Sequence, residues 1–228
     1  MKTALSKPGR PRRPGRPSGQ KSVDLRERVL DTAIALFAER GIAATPLRAI
    51  AERARVTPAL LHYYFRSRDR LVETLLAERV APFVATSAAP LLEPLSSPRA
   101  TLRLFLETHM RNLAAHPWMP RLMAREVLSD GGSLREQMQV QFSSALSPKI
   151  LMLIAAAQRA GEIRRDLDPM LIGLSLISLA VFPFAAAPVW RGVMKQSQLP
   201  TPSDDDLIRH TLALFDSALE NPDAKSRR

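Results

Sequence analysis

The stretch from Thr45 to Leu71 constrains this chain more than any other. Thr45-Pro46 and Thr57-Pro58 are two helix openings of one kind. A Thr hydroxyl can cap free backbone N–H groups, and a proline at the first helical position forfeits no intrahelical bond. Between them Leu47, Ile50, Ala51 and Ala54 recur at helical spacing. Only Arg55 and Val56 separate that helix from the next cap. Two capped helices around so short a turn form the helix-turn-helix pattern, whose second helix enters the DNA major groove.

The charge balance points the same way. Residues 1–70 hold 16 Lys/Arg against 6 Asp/Glu, whereas residues 71–228 hold 17 against 16. Nearly all of the formal +11 therefore sits at one end, which argues for nucleic acid more strongly than uniform basicity would. A merely solvated tail is the blander account of the same charges.

Residues 1–21 carry seven Lys/Arg, no acid and four prolines, a composition that cannot form a core. A first helix is predicted from Asp24, where Asp24 and Glu27 have capping-box spacing, to Gly41. A fourth begins at Ser67, with Pro82 expected to bend or end it. Residues 87–98, with three prolines, read as a loop. Ser97-Pro98, Ser147-Pro148, Asp168-Pro169 and Ser203 with its three aspartates open further helices. These are expected at about 98–115, 118–129, 133–146, 148–160, 168–190 and 203–220, broken at Gly131-Gly132 and Gly161. No stretch alternates as a strand would, so the chain reads as all-α.

Several classes fall away. There is no cysteine, hence no disulfide framework, thiolate metal site or Cys nucleophile. The basic N-terminus lacks the apolar run of a secretory signal, and a reducing cytoplasm suits the composition. Residues 170–190 run for 21 residues without a charge, long enough to span a bilayer. They also contain Pro183, Pro188 and Gly173, and a helix apolar all round equally serves a core or a subunit interface. His109 and His116 stand seven apart, but no metal or nucleophile motif accompanies them, so neither metal nor cofactor is implied and the chain is not read as an enzyme.

Residues 25–76 resemble the N-terminal region of the TetR family of transcriptional regulators. That family's pattern runs Val-Ser-x-x-x-Leu-Tyr-x-His/Tyr-Phe-x-Ser/Asn-Lys-Glu/Asp-x-Leu, and here it reads Val56, Thr57, Pro58, Ala59, Leu60, Leu61, His62, Tyr63, Tyr64, Phe65, Arg66, Ser67, Arg68, Asp69, Arg70, Leu71. Ala160-Gly161-Glu162-Ile163-Arg164 with Asp166-Leu167-Asp168-Pro169 also resembles the junction before the dimerisation helices of many members. His62 departs from the usual Tyr, and Ala59 from a frequent Gly, which bears on operator preference.

The resemblance implies a three-helix DNA-binding domain at 23–70, after a disordered basic arm at 1–22. A helical effector-binding and dimerisation domain follows at 71–228. Thr45 and Tyr64 would hydrogen-bond phosphates, and Arg68 would replace the family's phosphate-binding Lys, with Arg48 as a further contact. Thr57 caps the recognition helix and is also expected among the DNA-binding residues. Pro58, Ala59, Leu60, His62 and Tyr63 would read bases, a set apolar enough to favour thymine methyls and DNA shape. Leu61 and Phe65 belong to the core, while Leu60 and Tyr63 are open between core and groove. Gly9-Arg10-Pro11 and Gly15-Arg16-Pro17 resemble the AT-hook core Arg-Gly-Arg-Pro, with Pro8 and Pro14 in place of the first Arg. Arg10 and Arg16 would enter an A·T-rich minor groove or bind phosphates without sequence preference.

A palindrome requires a homodimer. Its natural interface is helix 168–190 with helix 203–220, carrying Leu207, His210, Leu214 and Phe215; burial within one subunit is the alternative. The family's effector pocket would be lined by Phe83, His109, Met110, Trp118, Met119, Met123, Met138 and Phe142, and plain core packing is the competing account of each. The expected partners are double-stranded DNA, a second copy and an apolar or weakly polar small molecule, with no membrane. The expected role is a cytoplasmic, nucleoid-associated, ligand-responsive repressor. An architectural A·T-rich DNA binder without a switch is the other class, separable by whether one palindrome or many fragments are bound.

Overall fold

The computed structural model describes residues 19–141 and 147–220. Arg10, Arg16 and Phe142 lie outside the described residues, so the arm reading and one pocket residue have no structural counterpart. Among the described residues there are helices and turns and no strand.

Helix α1 (Gly19–Arg40) begins five residues before the expected Asp24. It takes in the last residues assigned to the arm and leaves Asp24 and Glu27 inside the helix rather than at its cap. Val29, Leu30, Ala33, Ile34, Leu36 and Phe37 are buried at helical spacing, so packing rather than the acid pair sets where it forms. Gly41 ends it at φ 91°, its N–H bonded to the Phe37 carbonyl at 2.9 Å. Helix α2 (Leu47–Arg53) starts one residue later than Thr45-Pro46 predicts. Pro46 is its N-cap, and no side chain caps it. Helix α3 (Pro58–Phe65) opens as expected, with Thr57 Oγ1 accepting from Leu60 N at 3.2 Å and Pro58 at the first position. The α2–α3 turn holds Arg55 at φ 53°. Ser67 likewise caps α4 (Arg68–Leu75) by accepting from Arg70 N.

Helix α4 does not stop at Pro82. It runs through one π-helical stretch, Leu76–Val80, into α5 (Ala81–Leu92) as a single 25-residue rod. A proline ring crowds the carbonyl four residues back, here Glu78, and the wider turn makes room. That carbonyl accepts from Arg79 Nη1 at 3.2 Å instead. Residues 87–92, expected as loop, are therefore helix, with Pro90 buried inside it. Ion pairs tie the wide turn to α1: Arg26 to Glu78, and Arg79 to Glu27 and Asp31.

The body is built around α6 (Pro98–Ala115), which packs on α5, α9 (Ser147–Arg159), α10 (Pro169–Ala185) and α12 (Asp204–Ala218). Ser97, Asp168 and Ser203 supply caps, the last a full capping box with Asp206. Helix α7 (Trp118–Met123) packs on α1 and continues through a second π-helical stretch, Ala124–Leu128. Helix α8 is Arg135–Gln141. The expected helix 168–190 is two: α10 and α11 (Ala187–Gln196) bend by 56° at Ala186, where the Trp190 indole N–H bonds the Pro183 carbonyl at 2.8 Å. That pair and the rod Arg68–Leu92 have the length and apolarity of a bilayer span. The first is kinked, however, and the α5 part of the second packs on α6.

Candidate nucleic-acid interface and effector cavity

Helix α3 is held by two inward residues, Leu61 and Phe65, both buried in the core shared with Leu30, Ile50 and Leu71. Their i, i+4 spacing turns Pro58, Ala59, His62 and Tyr63 outward, and all four are exposed. Tyr63 is 70% exposed, so of its two readings the structure takes the outward one. Leu60 is half-buried. Tyr64 is also half-buried and packs on the core, its ring centroid 5.5 Å from Tyr63 and 6.0 Å from Phe65.

His62 carries a hydrogen bond that sequence reasoning did not foresee. Its Nδ1 lies 2.9 Å from the Arg66 carbonyl. A carbonyl only accepts, so Nδ1 holds a proton, and in the tautomer that carries this proton alone Nε2 is an acceptor. Such an edge suits the amino group of adenine or cytosine in the major groove.

The rim is cationic. Arg48, Arg55, Arg66 and Arg68 are all exposed. Arg48 shares its charge with Glu52 one turn on (2.9 Å), and Arg68 Nη1 reaches the Ala43 carbonyl at 3.4 Å. Arg55 and Arg66 flank α3 at either end and were passed over in the sequence because neither belongs to the motif's named contacts. Both stand at positive φ, 53° and 59°. Thr45 corrects an expectation. It is fully buried and its hydroxyl donates to the Gly41 carbonyl at 2.6 Å, so it braces the α1–α2 turn and its side chain is out of reach of a phosphate.

The body encloses a cavity of about 400 Å³. Phe83, His109, Met119, Met123 and Met138 line it, together with Ser87, Phe105, Leu113, Ile150, Leu174, Ile177 and Val181. Two expected residues do not. Met110 is fully buried, because its place on α6 is one position past the cavity-facing His109 and turns it into the core. Trp118 packs beside His116 and Phe83, with ring centroids 5.9 and 6.2 Å away. No charged side chain lines the cavity among the described residues. Met170 and Leu174, 60% and 63% exposed, line it as well, so it reaches the outer face of α10. His109 is half-buried, and what it exposes looks on apolar walls. That burial pushes its pKa down from 6.5 to about 4. His116 Nδ1 is spent on the Asn112 carbonyl (2.9 Å), and no group of three metal-ligating side chains occurs among the described residues.

One buried carboxylate joins the two regions. Glu126, 4% exposed in the second π-helical stretch, accepts from Ile42 N at 2.8 Å and from Ser133 N at 3.0 Å. The fit is close: a β-carbon on Gly41 would stand 3.0 Å from Glu126 Oε1, and one on Gly132 would stand 2.3 Å from the Glu126 carbonyl oxygen. Met123, Val127 and Leu128, on the same turn, face the cavity. Nothing in the local sequence around Glu126 distinguishes it from a solvated helix acid; its partner Ile42 is 84 residues away.

Residues 29–75 match the profile of bacterial regulatory proteins of the tetR family, and residues 98–215 match the tetracyclin repressor-like C-terminal domain. The chain is 29% identical over 120 residues to the HTH-type regulator YttP of Bacillus subtilis, covering 51% of this chain and 56% of that one. It is 25% identical over 158 residues to the transcriptional repressor NicS of Pseudomonas putida, covering 69% and 74%. The chain thus spans about half to three quarters of these curated relatives. The ketosteroid transcriptional regulator KstR2 of Mycobacterium tuberculosis superposes with a TM-score of 0.67 over 90% of this chain and 97% of that one, at 18% identity, a likeness of fold. With both halves matched in their proper order, the chain belongs to the TetR family of bacterial regulatory proteins.

Proposed function

We propose that this protein is a homodimeric transcriptional repressor whose two α3 helices read a palindromic operator and which is released by a small apolar or weakly polar effector. The carrying observation is Glu126. It stands on a turn from which Met123, Val127 and Leu128 wall the cavity, and it holds the backbone of the α1–α2 connection inside the DNA-reading head. A ligand that shifts this turn shifts Ile42, and with it the spacing of the two heads. Release then requires tighter ligand binding to the DNA-incompetent spacing, and the two affinities are reciprocally coupled.

Dimerisation has support in an uncovered apolar surface. Leu171, Phe182 and Val189 on α10 and α11 are each more than 60% exposed, and Val193 is 51% exposed. A second copy covers such a face by two-fold symmetry. On α12, Phe215 is core, while Leu214 and His210 point outward. Base reading falls to Pro58, Ala59, Leu60, His62 and Tyr63, and phosphate contact to Arg48, Tyr64 and Arg68. The protein acts on the nucleoid in the cytoplasm.

Sequencing the genomic fragments retained by the purified protein at physiological salt tests this reading. One or a few palindromes with half-sites a helical turn or a small multiple apart are expected. Retention of many A·T-rich fragments alike would sink it, as would undiminished retention after Tyr64→Ala with Arg68→Ala in a folded protein.

A further inference from the structure

The cavity wall is hydrocarbon except in few places. Of the described side chains that line it, only Ser87, His109 and Ser147 carry nitrogen or oxygen. Ser147 is exposed at the start of α9, whereas Ser87 is buried and joined to His109. Both belong to one relay whose protons can be assigned by elimination. Asn112 Nδ2 donates to the Phe83 carbonyl at 2.8 Å and to Ser87 Oγ at 2.9 Å, which uses both its protons. Ser87 Oγ therefore accepts from Asn112, and its own proton needs an acceptor. The remaining partner in reach is His109 Nδ1 at 3.1 Å. Nδ1 is then the acceptor of that bond, and the ring proton resides on Nε2.

Nε2 makes no hydrogen bond to a described residue, and among the described residues no buried side-chain nitrogen or oxygen lacks a partner. The atom accordingly faces open space, which for a cavity-lining ring is the cavity. Its direction is fixed. The imidazole stacks on Phe105 with centroids 5.8 Å apart and planes 5° apart, and it meets Phe83 edge-on at 6.1 Å. The result is one oriented N–H in an apolar chamber of about 400 Å³, within the range of small-molecule sites.

We propose that the His109 Nε2–H is the specificity donor of the effector site, so that the cavity selects a neutral apolar molecule bearing a carbonyl oxygen over its hydrocarbon and carboxylate counterparts. This rests on the effector reading above and narrows it to a chemical class. Burial keeps the ring neutral at neutral pH, since its pKa lies near 4. A carboxylate entering the chamber would lose its water and meet no cation, which costs far more than one hydrogen bond returns. A ketone, ester or thioester loses little water and gains the aligned donor. Ser87 and Asn112 act as positioning residues that set the tautomer, as the partners of the far ring nitrogen do in other histidine sites.

Prodan, a dimethylaminonaphthalene bearing a single propionyl ketone, provides the test. Two analogues complete it, one with propyl and one with carboxylate in place of the propionyl group. Fluorescence titration of the full chain near neutral pH should show the ketone bound about tenfold tighter than the propyl compound, as expected for one hydrogen bond in a dry site. The carboxylate should bind weaker than either. His109→Phe, which keeps a ring to stack on Phe105, should erase the ketone's advantage and leave the propyl affinity within about twofold. Ser87→Ala should reduce the advantage in part, and bound prodan should emit to the red of its position in His109→Phe. Equal binding of ketone and propyl compounds, a carboxylate as tight as the ketone, or an advantage that survives His109→Phe would each overturn the assignment. All three results leave the repressor reading standing, because the cavity would still bind and the operator would still be retained. Binding of none of the probes would overturn the donor assignment and the effector reading together.

Discussion

The DNA-reading head and the α6-centred body handle polar groups in opposite ways. The head keeps charges outside: Arg48, Arg55, Arg66 and Arg68 are exposed, and the one buried polar side chain among its described residues, Thr45, is satisfied four residues away. Its caps are equally local, Thr57 to Leu60 and Ser67 to Arg70. The body takes polar groups inside and satisfies them over long distances. Asn112 reaches Phe83 and Ser87 on α5, and Glu126 reaches Ile42 in the head. A surface that reads DNA has to be rigid and outward. A chamber proposed to sense a molecule has to be hollow, and in that reading its few interior donors are what would give it selectivity.

Truncation should separate the two regions most sharply. Leu61 fills the small core beneath α3, and Leu61→Ala is expected to cost about 3–4 kcal/mol and to melt the head. Leu174 lines the cavity and is 63% exposed, so Leu174→Ala should cost below about 1 kcal/mol. Denaturant unfolding measures both, and equal costs would mean that the chamber is not open in solution. Glu126→Ala comes next. It strands the Ile42 and Ser133 N–H groups, at about 2–3 kcal/mol. The variant should still bind operator but no longer be released by effector; retained release would place the coupling elsewhere.

The same contrast governs how much could be read from the sequence. Helix α3, its Thr57-Pro58 opening, its inward pair Leu61 and Phe65 and the break at Gly41 depend on residues within one or two turns, and the spacing shows them directly. Thr45-Pro46 looked like the same device, yet the Thr45 hydroxyl turned back to Gly41, because a cap and a turn brace are alike at the level of sequence. Pro82 reads as a bend or an end of the helix, yet a π turn absorbs it. Of the chamber, Met and aromatic residues could be named in general, but Met110 and His109 are neighbours on one helix, and only packing decides which of them faces in. Glu126 gave no local sign at all.

His109 offers a titration of the buried side. The unfolded chain takes up a proton on this ring near pH 6.5, while the folded chain refuses it until about pH 4. Its folded pKa being depressed, the ring's contribution is fully present above pH 6.5 and is lost as pH falls from there toward 4. The slope is at most about 1.4 kcal/mol per pH unit. The groups against the ring are Ser87, Phe83 and Phe105, none of which ionises in that window. His109→Phe should flatten this part of the stability profile, measured by thermal melts across the window. A variant profile parallel to that of the natural protein would mean that the ring is open to water.

The smallest expected effect lies in the turn of the head, where stability and recognition pull apart. Arg55 stands at φ 53°, a conformation in which a β-carbon costs about 1 kcal/mol. Arg55→Gly removes that strain but loosens the unfolded chain by a similar amount, so the net gain should not exceed about 0.5 kcal/mol. The substitution also removes a cation from the rim of α3. If Arg55 neutralises a phosphate, the slope of log binding constant against log salt should become shallower by about 0.9 per half-site, with no change in which sequence is preferred. A protein slightly more stable but with an unchanged slope would put Arg55 outside the footprint and shrink the rim to Arg48, Arg66 and Arg68. The strained turn would then be explained by the tightness of the α2–α3 connection alone.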